Sequence, residues 1–265
     1  MIAVAGDARV GYDSIGGGLP VVFLHAFPLD RTMWAPQTSA LADACRCLTI
    51  DVRGFGESDA VAPFTVDRYA DDIVCVLDNA GVDRATIVGL SMGGYVAFAL
   101  WRRWPARVRA LVLADTRAGA DSAETRERRR ELIGLARSKG VSPVVDRQIV
   151  GLLGKTTRER RPEVEAQARA IAESASVDGI VGALEALLGR PDSTPTLSTI
   201  TVPTLVVVGD EDVITPPKEA RAMQQQIHGS RLDVVAGAGH LSNLERPAAF
   251  NAVLAEFIQA IESGS

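Results

Sequence analysis

The chain has 265 residues, of which 47% are hydrophobic and 23% charged, a composition typical of an ordinary globular protein with one substantial core. Its formal net charge of -5 gives no general attraction to nucleic acid or to an anionic membrane, and we expect neither as a partner. No segment approaches the roughly 20 apolar residues of a spanning helix, and the N-terminal residues lack the features of a secretory signal, so we expect a cytoplasmic protein.

Short apolar runs alternate with segments of helical periodicity along most of the chain. This alternation is typical of an α/β protein whose mostly parallel sheet is covered by helices on both faces. The runs predict strands at residues 21–24, 47–50, 85–90, 109–114, 204–209 and 231–235. The periodicity predicts helices at residues 66–80, 93–104, 216–226 and 246–261, and Thr215 precedes one of them as an N-cap would.

The alternation stops between about Arg117 and Ile200, where helical periodicity continues without a strand. Asp121 and Glu124 have the spacing of a capping box at the start of this block. The arginines at 126–130 suggest an anionic ligand, but the interleaved glutamates favour a solvent-facing helix surface instead. We predict a first core part at 1–116, a helical cap at 117–200 and a second core part at 201–265, together forming a single catalytic unit.

The segment "TIVGLSMGGYVAFAL" places Ser91 between Gly89 and Gly93 in the pattern Gly-x-Ser-x-Gly, after a predicted strand and before a predicted helix. A strand that turns directly into a helix strains the central residue, and side chains at the flanking positions would collide unless they are glycines. The turn would hold the serine hydroxyl above the carboxyl ends of the strands, where open α/β sheets bind ligands. A tight turn alone could need these glycines, but the position between a strand and a helix favours a nucleophile, and a base would strengthen that prediction.

A serine nucleophile needs a base, usually a histidine, to accept its proton. The chain has three histidines. His25 closely follows a predicted strand, and His228 lies in a polar segment between a helix and a strand. His240 lies in the loop after the last predicted strand, at the same end of the sheet as Ser91. The order serine, acid, histidine is the one expected on such a fold, so we predict His240 as the general base.

The base in turn needs a carboxylate that fixes its tautomer and stabilises its charged form. The loop after the strand at 204–209 supplies Asp210, Glu211 and Asp212 at the correct end of the sheet. We favour Asp212, since the preceding residues carry it furthest into the crevice. Asp115, at the end of an earlier strand, is the alternative acid.

Two backbone N-H groups should stabilise the oxyanion of an acyl-transfer reaction. Met92 begins the helix after Ser91, where the positive end of the helix dipole supports a developing negative charge. Phe27 lies in the loop after the first predicted strand, and its N-H is the second predicted donor. We expect His25 to brace that loop rather than to react.

The sequence resembles the serine hydrolases of the α/β-hydrolase fold over nearly its whole length. The resemblance is carried by "HAFPLDRTMW", "DVRGFGESD", "GLSMGG", "GDEDVITPP" and "GAGHLSNLERP", which occur in the family's order. It implies that Ser91 is the nucleophile, Asp212 the acid and His240 the base, with Phe27 and Met92 as the oxyanion donors and the helical block as a cap over the pocket.

One departure concerns the oxyanion loop, where the family usually has His-Gly and this chain has His25-Ala26. The additional methyl group narrows the hole or restricts its loop slightly, and we expect the N-H of Phe27 to stay available.

The motifs "DVRGFGESD" and "GHLSNLERP" are most similar to those of 3-oxoadipate enol-lactonases and small carboxylesterases. Serine at position 91 argues against haloalkane dehalogenases and related epoxide hydrolases, which use aspartate there. The resemblance implies a carboxylic ester hydrolase that acts on a small-molecule ester or lactone through an acyl-enzyme and needs no metal or organic cofactor.

Three alternatives remain at this point. The same triad could use hydrogen peroxide in place of water, as perhydrolases and non-haem haloperoxidases do, or could cleave a carbon-carbon bond of a diketone. The fold could also serve as a ligand receptor with vestigial hydrolysis. The natural substrate is open, and so is assembly into a homo-oligomer.

Overall fold

The computed structural model describes residues 1–264 and has an eight-stranded sheet at its centre. The strands are β1 (Ile2–Ala5), β2 (Ala8–Ile15), β3 (Leu19–Leu24), β4 (Cys45–Ile50), β5 (Ala85–Leu90), β6 (Val108–Ala114), β7 (Thr204–Gly209) and β8 (Arg231–Val235). They lie in the order β1-β2-β4-β3-β5-β6-β7-β8. All pairs from β4 to β8 are parallel, whereas β2 pairs antiparallel with both β1 and β4.

The helices cover both faces of this sheet. They are α1 (Ala35–Leu41), α2 (Val66–Asn79), α3 (Met92–Arg103), α4 (Ala123–Lys139), α5 (Ser142–Leu152), α6 (Lys155–Arg160), α7 (Pro162–Glu173), α8 (Val177–Gly189), α9 (Thr194–Leu197), α10 (Pro217–Gln226), α11 (Ser242–Glu245) and α12 (Pro247–Ser263). Short 3₁₀ helices lie at Arg31–Trp34 and Pro105–Arg107. The six predicted strands and four predicted helices are all present, with bounds within two residues.

Strands β1 and β2 were missed by the sequence interpretation. They form an edge hairpin whose two-residue turn contains Gly6, at φ +64°. Strand β1 buries only the small side chains of Ala3 and Ala5, and it exposes Ile2 and Val4. The exposed residues of β1 are therefore more hydrophobic than its buried residues, which is the reverse of the usual pattern. For this reason the sequence of β1 shows no recognisable strand alternation.

The sheet separates two hydrophobic cores, as the crossover helices of a parallel sheet require. One core packs β-strand side chains against α2 and α3, with Ile73 and Val96 fully buried. The other contains Phe23, Trp34 and Phe250, whose rings stack in sequence with centroids 5.1 and 6.2 Å apart. Both cores continue beyond the sheet into the helices between β6 and β7, with Ile180 in the first core and Ile149 in the second.

Helices α4 to α9 are all inserted between β6 and β7. Within this block α4 packs against α8, and α5 packs against α7. The predicted capping box is wrong, because the N-cap of α4 is Ser122, whose hydroxyl accepts the N-H of Thr125 at 3.1 Å. Asp121 lies just before this N-cap. Across residues 1–264, every helix is too short or too polar to traverse a lipid bilayer.

Candidate active site

The turn from β5 into α3 is strained as the sequence predicts. Ser91 has φ +54° and ψ -109°, a conformation that residues with a side chain rarely adopt. A side chain on Gly89 would collide with the carbonyl of Gly93, and one on Gly93 would collide with the carbonyl of Leu24. The glycines therefore permit strand, turn and helix to pack closely while the serine projects from the edge of the sheet.

Ser91, His240 and Asp212 come together although they lie on three separate loops. The Oγ of Ser91 is 2.7 Å from Nε2 of His240, and Nδ1 of His240 is 2.8 Å from Oδ2 of Asp212. His240 and Asp212 are only 1% and 3% exposed, so water does not screen their interaction. This arrangement allows a carboxylate to orient an imidazole that can accept the serine proton.

The charges of this pair shift both pKa values. Burial raises the pKa of Asp212, but the proximity of His240 and hydrogen bonds from Thr215 outweigh it and lower the pKa to about 2. Burial lowers the pKa of His240, and the negative charge and hydrogen bond of Asp212 more than reverse this, so that it is raised overall. Asp212 is therefore the ionised partner that stabilises a protonated imidazole.

Thr215 belongs to this site, and its prediction as a helix N-cap is wrong. Its hydroxyl donates to Oδ2 of Asp212 at 2.6 Å, and the backbone N-H groups of Ile214 and Thr215 donate to Oδ1 at 2.8 and 2.9 Å. The N-cap position of α10 is occupied by Pro216. The only sequence signal for this role was a hydroxyl residue three positions after the acid, a spacing that equally suits a cap.

Asp115, the alternative acid, has a different set of partners. Asp115 is fully buried. Its φ is +44°, and within residues 1–264 Ser91 is the only other non-glycine residue with a positive φ. Its carboxyl group accepts the N-H of Gly209 at 2.9 Å and the hydroxyl proton of Ser242. Burial and repulsion by Asp212 raise its pKa well above the ordinary value. Asp115 thus joins the end of β7 to the histidine loop.

Glu245 is a further buried acid of the site, which the sequence interpretation missed. Its Oε1 accepts the N-H groups of Gly239 and Leu241, on either side of His240, at 2.9 and 3.2 Å. Its Oε2 accepts the N-H of Gly154 from the inserted helical block at 2.9 Å. One side chain therefore fixes the backbone around His240 and ties it to the inserted block. Its position within the "GHLSNLERP" motif was the available signal.

A cavity of about 380 Å³ opens onto Ser91 and His240. Phe27 and Met92, the predicted oxyanion donors, lie in its wall beside the serine. Much of the remaining wall comes from the inserted helices, with Arg128, Arg129, Leu132, Gln148, Leu152 and Leu187. The volume lies near the small end of the range for small-molecule sites. The core thus contributes the reactive groups, and the inserted block contributes much of the enclosure.

The other loop residues considered in the sequence, His25, Ala26 and His228, do not line the cavity. The ring of His25 is buried, accepts the N-H of Val52 at 3.0 Å and has a pKa lowered by that burial, so it braces the loop after β3. Ala26 is fully buried in the core, and its methyl group does not line the cavity. His228 is exposed in the segment before β8. Among residues 1–264, no group of three or more acidic, histidine or cysteine side chains is arranged to hold a metal ion.

Comparison with known protein families gives a match over residues 21–253 to the model described as "Alpha/beta hydrolase family". This chain belongs to that family. The match includes all the loops that carry Ser91, Asp212 and His240, and it confirms the predicted fold class.

Proteins similar to this chain have names that indicate different activities. The solved structure of a thermophilic esterase from Thermogutta terrifontis superimposes with a TM-score of 0.94 at 37% identity, covering 98% of this chain and 97% of that one. The 3-oxoadipate enol-lactonase 2 of Acinetobacter baylyi is 28% identical over 250 residues, which are 93% of this chain and 92% of the relative. A putative non-heme bromoperoxidase, BpoC of Mycobacterium tuberculosis H37Rv, is 28% identical over 262 residues, 96% of this chain and 99% of the relative. The protein is therefore an α/β hydrolase with esterase and enol-lactonase relatives.

Proposed function

We propose that this protein is a serine hydrolase that cleaves carboxylic esters or lactones through a covalent acyl-enzyme. Ser91 is the nucleophile, His240 the general base and Asp212 the acid that orients it. The observation that carries this proposal is the continuous hydrogen-bonded chain from Ser91 Oγ through both ring nitrogens of His240 to Asp212. A structural turn alone would not need a buried imidazole and an ionised carboxylate aligned behind the serine.

Acylation begins when Nε2 of His240 accepts the Ser91 proton while Oγ attacks the carbonyl carbon. The negative charge that develops on the carbonyl oxygen is stabilised by the N-H groups of Phe27 and Met92. As the tetrahedral intermediate collapses, the protonated His240 donates its proton to the leaving alkoxide. For a lactone the released alcohol stays attached to the acyl group, so both functions remain on one molecule.

Deacylation reverses these proton movements with water as the nucleophile. His240 removes a proton from water, the hydroxide attacks the acyl carbon, and the histidine returns the proton to Ser91 Oγ. Asp212 stays ionised throughout and stabilises the imidazolium twice in each cycle. We propose that residues 117–200 act as the cap that selects which esters reach Ser91. We also propose that the protein is located in the cytoplasm.

A second candidate activity shares the acyl-enzyme. Similarity to the bromoperoxidase relative supports this candidate. In it, hydrogen peroxide replaces water in deacylation and yields a peracid. The product distinguishes the two, because hydrolysis gives a carboxylic acid whether or not peroxide is added. Carbon-carbon cleavage of a diketone would give a shortened ketone, and a receptor would show stoichiometric release without multiple turnovers.

The experiment that tests the proposal is steady-state hydrolysis of short p-nitrophenyl esters and an unsubstituted lactone. We expect Ser91→Ala and His240→Ala to lower kcat by about a thousandfold or more. Ser138→Ala and His228→Ala replace an exposed serine and histidine and serve as matched controls with unchanged rates. A single burst from the wild type, or variants that keep the rate, would refute Ser91 as a catalytic nucleophile.

A further inference from the structure

The cavity above Ser91 carries a positive charge that the proposed hydrolysis does not use. Three arginines, Arg117, Arg128 and Arg129, line it, and no aspartate or glutamate among residues 1–264 does. The chain as a whole has a net charge of -5, so this charge is opposite in sign to that of the molecule. A cationic wall inside a small cavity concentrates anions near the nucleophile.

The cluster is organised around one buried carboxylate, Asp121, whose side chain is 1% exposed. Arg117 donates to it at 2.8 Å, Arg129 at 2.6 Å and Arg190 at 2.7 Å. Arg190 also lies against the ring of Tyr95, with Cζ 4.1 Å from the ring centroid. Burial raises the pKa of Asp121, but the guanidinium groups of Arg129 and Arg190 lower it well below its ordinary range, so it is ionised.

Three guanidinium groups and one carboxylate leave an excess of two positive charges in this cluster. The Nε of Arg117 is buried and has no hydrogen-bond partner within residues 1–264. The side chains of Arg117 and Arg129 are 22% and 14% exposed, and both reach the cavity. The predicted solvent-facing surface is therefore correct for Arg130, which is 55% exposed, and wrong for Arg129.

Other buried arginines of this protein show that such an excess is not a requirement of folding. Arg53 pairs with Asp7 and Asp72, and Arg31 pairs with Asp13, Asp51 and Glu57. Each of those guanidinium groups meets two or three carboxylates. In the Asp121 cluster the ratio is reversed, and two of its three arginines, Arg117 and Arg129, line the cavity, where a bound anion would balance the excess charge.

We propose that Arg117 and Arg129 form a subsite for a carboxylate carried by the substrate, so that the enzyme prefers esters or lactones with a free acid group. The forked guanidinium donors match a planar carboxylate. The apolar side chains of Leu132, Leu152 and Leu187 line the same cavity and suit a short methylene chain between the acid and the ester. This inference rests on the proposed function of Ser91, since the anion is placed relative to that nucleophile.

The test compares mono-p-nitrophenyl adipate with p-nitrophenyl 6-methylheptanoate, in which an isopropyl group replaces the carboxylate. We expect the wild type to favour the anion by about tenfold or more in kcat/KM, mainly through KM, since hydrogen bonds to a charged group are strong. The preference should decrease when sodium chloride is raised to 1 M, because added salt screens the charges. Spontaneous hydrolysis of each ester is subtracted.

Variants assign the preference to the cluster. Arg117→Met and Arg129→Met should each lower the anion-to-isostere ratio severalfold, and the double variant should bring it to about one. Arg130→Met, on the same helix but paired with exposed Glu127, is the matched control and should keep the wild-type ratio. If the variants fail to fold, adipate itself serves as a probe: it should inhibit wild-type hydrolysis of the neutral ester competitively, whereas 1,6-hexanediol should not.

The outcomes separate this inference from the proposed function. Multiple turnovers of the neutral ester, with no preference for the anion and no inhibition by adipate, would overturn the carboxylate subsite and leave the serine hydrolase intact. A wild-type ratio that persists in the double variant would also overturn it, because the anion would then be bound elsewhere. Failure to turn over either ester would instead refute the hydrolase proposal.

Discussion

The loops at the carboxyl ends of the strands and the inserted helices differ in how their charged groups are held. At these carboxyl ends, Asp212 and Glu245 are buried; Asp212 accepts four hydrogen bonds from protein groups and Glu245 accepts three. On the inserted helices, pairs such as Arg137 with Glu185 are 62% and 47% exposed. Exposed pairs contribute little to stability. The chemistry thus lies where buried hydrogen bonds fix the geometry, and the exposed pairs of the inserted helices lie where changes of surface charge are tolerated.

Two connections join these regions beside the candidate active site. Gly154 donates its N-H to Glu245, and Thr156 donates its N-H to Glu211 at 2.7 Å. Both contacts hold the start of α6 against the loops that carry His240 and Asp212. The inserted block is therefore anchored at the catalytic loops, while its arginines approach the cavity from α4.

The largest effect in the loops should come from Asp212→Asn. The amide keeps the shape of the side chain but removes the charge that stabilises the protonated His240, so we expect kcat to fall by about a thousandfold to ten-thousandfold. Steady-state hydrolysis of a neutral ester measures it. Asp115→Asn is the comparison, and an equal loss from both variants would contradict the assignment of Asp212 as the acid that supports the base.

A smaller loss is expected from Glu245→Gln, because it changes the position of His240 and removes no reacting group. Replacing one carboxylate oxygen by an amide nitrogen leaves at least one of three buried N-H groups without an acceptor, which we expect to lower kcat by about tenfold to a hundredfold. The measurement is kcat together with KM for the neutral ester. Restored activity in Glu245→Asp would show that the carboxylate matters, whereas an unchanged kcat in Glu245→Gln would remove its positioning role.

The pH profile should separate the two buried acids near His240. Only neutral His240 can accept the Ser91 proton, so kcat/KM should fall as pH decreases through its raised pKa, with a midpoint above the ordinary value of 6.5. Asp212→Asn removes a negative charge, lowers that pKa and moves the midpoint to lower pH. Asp115→Asn should move it less, because the charge and hydrogen bond of Asp212 raise the pKa of His240 more than the charge of Asp115 does. Equal shifts would contradict the assignment of Asp212 as the acid that supports His240.

The smallest effect is predicted for an exposed pair of the inserted helices. Glu185→Gln removes the partner of Arg137 at a position that does not line the cavity. We expect the free energy of unfolding to change by less than about 0.5 kcal/mol, with no change in kcat. Denaturant unfolding and ester hydrolysis measure the two quantities. A large loss of either would contradict the view that the inserted block tolerates changes of surface charge.

The sequence by itself determined the architecture and the positions of the reactive groups. Buried parallel strands are continuous apolar runs, and the strained turn at Ser91 requires glycines at fixed positions, so both leave local patterns. The three-residue constellation of Ser91, Asp212 and His240 was predicted from loop positions at one end of the sheet. Strand β1 of the edge hairpin was missed because its buried side chains, those of Ala3 and Ala5, are small.

Only the tertiary structure decided which groups complete the site. Thr215 has the pattern of a helix cap, yet it donates to Asp212, and Arg129 has the pattern of a solvated helix face, yet it turns toward Asp121. Glu245 accepts N-H groups from two segments that are far apart in the chain. The physical reason is the same in each case. Hydrogen bonds and burial depend on which loops and helices meet in space, and periodicity within a single segment carries no information about that meeting.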